Sequence, residues 1–429
     1  MILINPPYGE AANFENIAND LNAVNKGGVA KTKIAATAMS NYGKASNELF
    51  TQFLARIAKE IPTATIAMFS TLKYVNASNF EQFRNNWNAK YLGGFVVHNK
   101  AFDGLTGKFP IGFLVWKTDN ASLRSTSYSI TTISTEVLDL NAKPIGEKLF
   151  YNVPKSSFLN VWIDRPRANK NDIIPLINAV SPAITKPSVT TWADNAIAYM
   201  YCGGNDFQHA EQQTIIYSSA YRGGHGYYKT NENLLHIAII FSIRRLIAPT
   251  WLNDRDQFLQ PSEPLTDEFK NDCLIWMLFN RCQRTASAND LEWNDKKWSI
   301  VNHFIPFTEE EVGANDRFES DFMVQYLRST VGTGRDLSVL DLSVQAAAVM
   351  SEGKKLWQAY FEHTDVRAVR DELKLNRPDV GWYQVRNALK KRNESGDFVP
   401  VSFKAFEEAY KTLTEKMQPM VYELGFLKI

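Results

Sequence analysis

The chain has 429 residues, 45% of them hydrophobic and 22% charged, a length and balance that call for two or three globular units and exclude a disordered, collagen-like or disulfide-stapled chain. The formal net charge is +1, which argues against a uniformly basic nucleic-acid binder. The charge is uneven: residues 51–250 carry 20 basic and 13 acidic side chains, residues 251–350 carry 9 and 17, so a polyanion would meet the earlier stretch.

Cys202, Cys273 and Cys282 stand far apart, with no C-x-x-C and no paired histidines. Neither a disulfide framework nor a zinc cage is encoded, and the compartment reads as reducing. Met1 is followed by three apolar residues and then Asn5-Pro6-Pro7, which is no secretory leader. No apolar run reaches about 18 residues, so the expectation is a cytoplasmic protein without a membrane partner.

In chain order, Ile2-Leu3-Ile4 is a strand that stops at a Pro-Pro turn. Leu49, Phe50, Phe53, Leu54 and Ile57 recur at helical spacing behind Ser46, a candidate N-cap. Ile66-Ala67-Met68-Phe69 reads as a buried strand. Ser78 and Glu81 have capping-box spacing ahead of a helix whose apolar face is Phe80, Phe83 and Trp87. Leu92–Val97 and Ile111–Trp116 are two more strands, and the helix-poor loop between them predicts an antiparallel pair. From about residue 121 to about 345 the pattern turns to Ser/Thr alternation, prolines and aromatics, an α+β and loop-rich region. Beyond Leu342 the chain reads as helical, ending in Phe403, Phe406, Tyr410, Leu413 and Met417, with Pro419 expected to interrupt the last helix.

The residues richest in chemistry are Asn5-Pro6-Pro7-Tyr8, at the carboxyl end of an apolar strand. Asn5 and Pro6 each precede a proline and are held extended, while both prolines have fixed φ. The carboxyl end of the strands is where α/β folds bind ligands. The Asn5 amide oxygen and the Pro6 carbonyl are two acceptors that match the two protons of an exocyclic amine, and Tyr8 offers a stacking face. Read without further context, the same four residues are also compatible with a strand-ending turn.

The stretch resembles the Asn-Pro-Pro-Tyr motif of the DNA adenine-N6 methyltransferases of restriction–modification systems. The resemblance continues in order through the helix near Asn47–Glu60, the strand Thr65–Ser70, the helix near Asn79–Asn88 and the pair Leu92–Val97 and Ile111–Trp116. It implies that Asn5 and the Pro6 carbonyl bind the target amine, that Pro7 holds the turn, and that Tyr8 stacks on an adenine flipped from duplex DNA. Phe102 lies where such enzymes carry an aromatic near the base. No metal or covalent intermediate is called for. The implied methyl donor is S-adenosylmethionine, held in the family by a Gly-rich turn and an acidic residue upstream of the motif, so its site is expected largely outside this chain.

The expected fold is therefore α/β: a truncated Rossmann-like methyltransferase half-sheet with family strand order 4-5-7-6 over residues 1–120, a target recognition region over 121–345, and a helical C-terminal segment over 346–429. The strand Ile2–Ile4 would be an apolar edge, covered by a complementing cofactor-binding chain, by self-association, or by the last helix through Phe403, Phe406 and Tyr410.

Other motifs compete. Val331–Asp336 contains Gly-x-Gly and Tyr201–Asp206 a glycine pair before an acid, but both read as ordinary turns. Lys26–Thr32 resembles a variant P-loop, with Ala30 in place of the glycine before Lys31, which leaves an ATPase as an alternative reading. A non-catalytic DNA-binding or specificity subunit is another. Contacts to double-stranded DNA are assigned to Arg165, Arg167 and Lys170, which serve equally as a solvated charge cluster, and to Arg222 within Tyr221–Tyr228, which serves equally as a packed turn. Arg386, Lys390, Lys391 and Arg392 read as one solvated helix face, and His236 as a core histidine.

Overall fold

The computed structural model describes residues 1–7, 28–105, 107–118, 132–163, 165–167, 169–175, 189–202, 213–219, 225–253, 257–293, 296–328, 342–362, 379, 381–394 and 401–428. They form a mixed α/β protein with a mixed six-stranded sheet and, among the described residues, eleven α-helices. Two compact units emerge: Met1–Ser157 with Thr250–Asn253, and Phe158–Pro249 with Asp254–Ile429. Among the described residues no helix is long and apolar enough to cross a membrane.

The first unit runs β1 (Ile2–Ile4), α1 (Lys33–Thr37), α2 (Leu49–Glu60), β2 (Thr65–Thr71), α3 (Lys73–Asn76), α4 (Glu81–Asn86), β3 (Ala89–His98), β4 (Pro110–Thr118), β5 (Thr132–Leu138) and β6 (Pro144–Tyr151). The sheet order is β1-β2-β4-β3-β5-β6. β1 is parallel to β2 and β3 to β5; the β2–β4, β3–β4 and β5–β6 pairs are antiparallel. The first four strands thus stand in the order expected for those segments. The hairpin β5–β6 carries the unit beyond the boundary expected at residue 120.

One sheet face is sealed by aromatic packing. Phe50 and Leu54 of α2, Tyr74, and the expected apolar face Phe80, Phe83 and Trp87 are all buried with Ile66, Met68, Leu114 and Trp116. Tyr74 is the hub: its ring lies 5.8 Å from Phe50, 6.2 Å from Phe83, 5.9 Å from Trp87 and 5.8 Å from Trp116. Its hydroxyl accepts the Trp116 indole N–H at 2.9 Å, and burial raises its pKa. The expected caps are corrected. Ser46 lies inside a 3-10 turn, Gly43–Asn47, and donates to the Gly43 carbonyl, so α2 starts behind Glu48 without a side-chain cap. Ser78 likewise opens a 3-10 turn, Ser78–Phe80, and α4 follows with no capping side chain. In both places the 3-10 turn satisfies amides locally that a cap would otherwise serve.

The second unit runs β7 (Asn169–Pro175), β8 (Val189–Trp192), β9 (Ala198–Cys202), β10 (Thr214–Tyr217), β11 (His225–Lys229), α5 (Leu234–Leu246), α6 (Asp267–Leu278), β12 (Gln283–Arg284), β13 (Ala288–Trp293), β14 (Lys296–Ile300), α7 (Glu309–Val312), α8 (Phe322–Arg328), α9 (Val344–Glu362), α10 (Trp382–Glu394) and α11 (Lys404–Glu423). Its sheet is β11-β9-β10-β12, with β7–β8 and β13–β14 as separate hairpins. α5 is mostly apolar and largely buried, with Leu235, His236 and Arg245 half-buried between Leu234 and Leu246. Thr266 caps α6 by accepting the Phe269 amide, with Asp267 and Glu268 in the first turn.

A second aromatic hub, Phe279, joins the C-terminal helices to this unit. Its ring lies 5.2 Å from Trp382 and 6.0 Å from Phe406, and its carbonyl accepts the Trp382 indole N–H at 2.6 Å. α9 approaches it at Gly353, where a Cβ would lie 2.1 Å from the Phe279 ring. The helical tail therefore shares the core of the region preceding it. Phe406 packs at 4.9 Å on Trp382, and Tyr410 stacks at 5.4 Å on Trp276. These contacts occupy the apolar stripe expected to cover the β1 edge, which corrects that assignment. α11 also continues through Pro419 to Glu423, because a proline costs a helix one amide donor yet tertiary packing of Leu413, Met417 and Val421 holds the register.

Two stability outcomes follow from these cores. Tyr74→Phe removes the acceptor of a buried indole N–H and is expected to cost about 1–3 kcal/mol in denaturant unfolding, with no change of fold by circular dichroism. Lys229 is fully buried, its Nζ 4.4 Å from the Phe304 ring centre and 3.4 Å from the Met277 sulfur, and burial holds its pKa well below the ordinary lysine value. The unfolded chain binds this proton up to the ordinary lysine pKa and the folded chain releases it earlier, so stability rises with pH across that window. Lys229→Met is expected to flatten that rise and to lift the thermal midpoint by at least about 2 °C, the shift that 1 kcal/mol gives in a domain of this size.

Candidate active site

The site is built on the register of two strands. Ile2 pairs with Ile66, Leu3 with Ala67 and Ile4 with Met68. Ile2 and Ile4 pack on the aromatic core, while Leu3 points the other way and is 69% exposed. Among the described residues β1 pairs only with β2. One residue further, Asn5 is held extended by Pro6, so the alternation and the register place it level with Phe69 on the Leu3 face. Asn5 is exposed, Pro6 buried and Pro7 exposed. Tyr8 lies outside the described residues.

Phe69 begins an aromatic row across that face. It pairs with Phe113, which pairs with Phe95. Ring centres are 4.7 Å apart for Phe69 and Phe113 and 5.3 Å for Phe95 and Phe113. Phe102 adds a fourth ring, 5.4 Å from Phe69. All four are half-buried, unlike the sealed rings of the opposite face. Phe102 is positioned by its loop: the buried Asn99 side chain donates to the Leu105 carbonyl at 3.2 Å and accepts the Phe109 amide at 3.3 Å, and the Phe102 amide donates to the Asn99 carbonyl at 3.0 Å. Thr71, two residues beyond Phe69 and so on the same face, has a buried hydroxyl with no hydrogen-bond partner among the described residues. At the same end of the sheet His98 is pushed below the usual histidine pKa by burial and then by Lys100 and Lys108; its Nδ1 accepts the Lys100 amide at 3.0 Å.

The arrangement offers an amide and a carbonyl acceptor at a strand end, a half-open apolar face of phenyl rings, and one orphaned hydroxyl. It suits a planar, amine-bearing ring. The implied S-adenosylmethionine needs a glycine turn and a carboxylate, and neither Met1–Pro7 nor Phe69–Leu72 contains one. These residues do not fit a cofactor-holding role. Among the described residues there is also no group of three His, Cys, Asp or Glu side chains able to hold a metal.

The remaining sequence candidates fare differently. Arg165 and Arg167 are exposed on the loop between the 3-10 turn Leu159–Val161 and β7, with Arg165 donating to the Asn160 carbonyl at 3.4 Å. Lys170 lies on β7, but its side chain is outside the described residues, as is Arg222 altogether. Residues 203–206 and 331–336, the two glycine turns, are outside them too. At the P-loop-like stretch, the Thr32 hydroxyl accepts the Ala35 amide as the cap of α1 and donates to Gln52 at 2.7 Å. That engages the oxygen a P-loop would turn toward magnesium. His236 is half-buried, edge-on to Trp162 at 4.7 Å. Arg386 is not on a solvated face: its side chain is only 19% exposed.

No protein-family model matches this chain, and no curated protein matches it either.

Sequence reading missed Phe69, Phe95, Phe113 and Thr71 as one surface; the signal was period-two alternation in β2, which separates Phe69 and Thr71 from Ile66 and Met68. Thr71→Val keeps the shape and deletes an unpaired buried hydroxyl, so stability is expected to rise by about 1 kcal/mol in urea titration. A loss of stability would mean that the hydroxyl is satisfied in solution.

Proposed function

We propose that this chain carries the target-base portion of a DNA adenine-N6 methyltransferase of the restriction–modification type. The observation that carries the reading is the placement of Asn5 and Pro6 at the carboxyl end of β1, level with Phe69 and its row of half-open phenyl rings. The strand order β1-β2-β4-β3, with an antiparallel strand between parallel neighbours' ends, supports it as the 4-5-7-6 half of a Rossmann-like methyltransferase sheet.

On this reading duplex DNA is the partner, and the adenine leaves the stack to reach the site. The Asn5 side-chain oxygen and the Pro6 carbonyl accept the two amine protons, which turns the nitrogen lone pair away from the ring plane and toward the methyl donor. Acceptors fixed in advance by two prolines need little reorganisation as positive charge develops on that nitrogen. The phenyl row excludes water and supplies stacking surface. S-adenosylmethionine is the donor implied, held by residues of a complementing chain or segment. The protein then works beside DNA in the cytoplasm, where its three free cysteines suit a reducing compartment.

Two measurements test the reading. In a preparation that transfers methyl groups, alone or with a complementing chain, Asn5→Ala is expected to lower the transfer rate at least about 100-fold while duplex affinity stays within about threefold. A mismatch or abasic site opposite the target adenine is expected to tighten binding about tenfold, because the flipped base then leaves a weakened pair. Unchanged methyl transfer by Asn5→Ala, or equal affinity for matched and mismatched duplexes, overturns the assignment.

A further inference from the structure

One cavity in the second unit is lined by more cations than carboxylates. It has a volume of about 340 Å³ and lies between α10, α11 and the turn after α6, with Arg281, Arg386 and Lys411 on its walls. Its floor is fixed by hydrogen bonds: the Asn280 amide donates to the Tyr410 hydroxyl at 2.7 Å, and that hydroxyl donates to the Trp276 carbonyl at 2.9 Å. The one carboxylate lining it is Glu407, and it is poorly placed to neutralise the walls. It lies 3.9 Å from the Arg386 guanidinium and 3.3 Å from Lys390, which competes for it. Lys411 leans toward Glu415 at 3.6 Å.

Arg386 is the member that a structural role explains least. Among the described residues its buried Nε has no hydrogen-bond partner and its only ion pair is the loose one to Glu407. Burial lowers its pKa, Glu407 opposes that shift, and Arg281 adds to it as a like charge. Arg245, at the end of α5, is lowered by burial as well, with Arg281 and Arg284 adding to the effect. Two guanidiniums, Arg281 and Arg386, that repel one another across a partly dry cavity are costly unless an anion joins them.

We infer that this cavity is a binding site for a phosphate group, taken between Arg281 and Arg386. Guanidinium forks match a tetrahedral oxyanion in pairs, and a buried, unpaired Nε beside an exposed arginine is the arrangement that such an anion completes. The volume admits a phosphate with the sugar attached to it. A second depression of about 670 Å³ shares Glu407 and Lys411 with the cavity and adds Lys390, Lys404 and Glu408, three lysines against two carboxylates. The phosphate arrives either as one unit of a nucleic-acid backbone or as a free phosphate. The site goes beyond the methyl-transfer reading and does not depend on Asn5.

The probe is inorganic phosphate, titrated into the full chain by calorimetry and by thermal unfolding against chloride at matched ionic strength. Phosphate is expected to bind and to raise the midpoint where chloride does not. Arg281→Gln and Arg386→Gln are each expected to weaken binding at least about tenfold. Arg281 is exposed, so its variant reports even if Arg386→Gln fails to fold. Glu407→Gln is expected to tighten binding about threefold, an effect that a merely structural role for the arginines would not produce. Phosphate indistinguishable from chloride, or binding unchanged in Arg281→Gln, overturns the inference. A short duplex separates the two sources: if it displaces phosphate and its log K against log salt slope falls by about 1 for each arginine removed, the backbone is the ligand. If phosphate binding is indifferent to the duplex, the ligand is a free phosphate.

Discussion

Everything at the candidate active site depends on one pairing, β1 against β2 with Ile4 opposite Met68. Strand side chains alternate, so a slip of one residue would turn Ile2 and Ile4 out of the core, and Leu3 with Asn5 into it. Two β-branched residues packed on the aromatic core oppose such a slip, and the prolines after Asn5 stop the strand from extending. The same register decides which aromatics Asn5 can meet. Phe69 is level with it, and Phe113 and Phe95 follow from the antiparallel pairs further along the sheet.

Much of the first unit was legible in sequence because its signals are local. An apolar triplet running into Asn-Pro-Pro marks a strand end, and Phe80, Phe83 and Trp87 recur at helical spacing with nothing polar between them on that face. Failures came where the determinant is not local. The Ser46 and Ser78 caps have the right residue type, but 3-10 turns precede both helices and take up the amides first. α5 shows little amphipathic period because most of its surface is buried, so a pattern search passes over Leu234–Leu246. Pro419 reads as a helix end, yet the helix outlasts it, since packing on the unit's core outweighs one missing hydrogen bond. Phe102 was singled out in the sequence, but the phenyl row as a whole was not, because its four members come from three strands and a loop, and only the sheet assembles them.

Arg386 shows the same limit from the side of charge. With Lys390, Lys391 and Arg392 it looks like one wet face, but Arg386, one turn before Lys390 on the same side of α10, is largely buried beside Tyr410, while Lys390 stays half-exposed and reaches Glu407. Sequence proximity shows the charges but not the depth at which the fold buries each one. The consequence is energetic. A solvated arginine has little effect on stability, whereas one with a buried Nε makes the cavity around it an electrostatic problem that a ligand can solve.

The two units thus present surfaces whose interactions scale differently with the solvent. On the proposed reading the contacts at the β1 end are rings, the Asn5 amide and the Pro6 carbonyl, uncharged groups among which base–aromatic stacking is worth about 1–3 kcal/mol per base. At the arginine cavity the attraction is between full charges and weakens as counterions compete. On the proposed reading, the arginine cavity can hold a duplex by its backbone without regard to sequence, while only an adenine that leaves the stack gains the contacts at Asn5. Affinity and chemical choice then reside in different residues, so the basic surface can tolerate substitution that lowers residence time. The Asn5 end cannot: removing one acceptor there leaves an amine proton unpaired in a dry, apolar setting, and no increase in overall binding restores that contact.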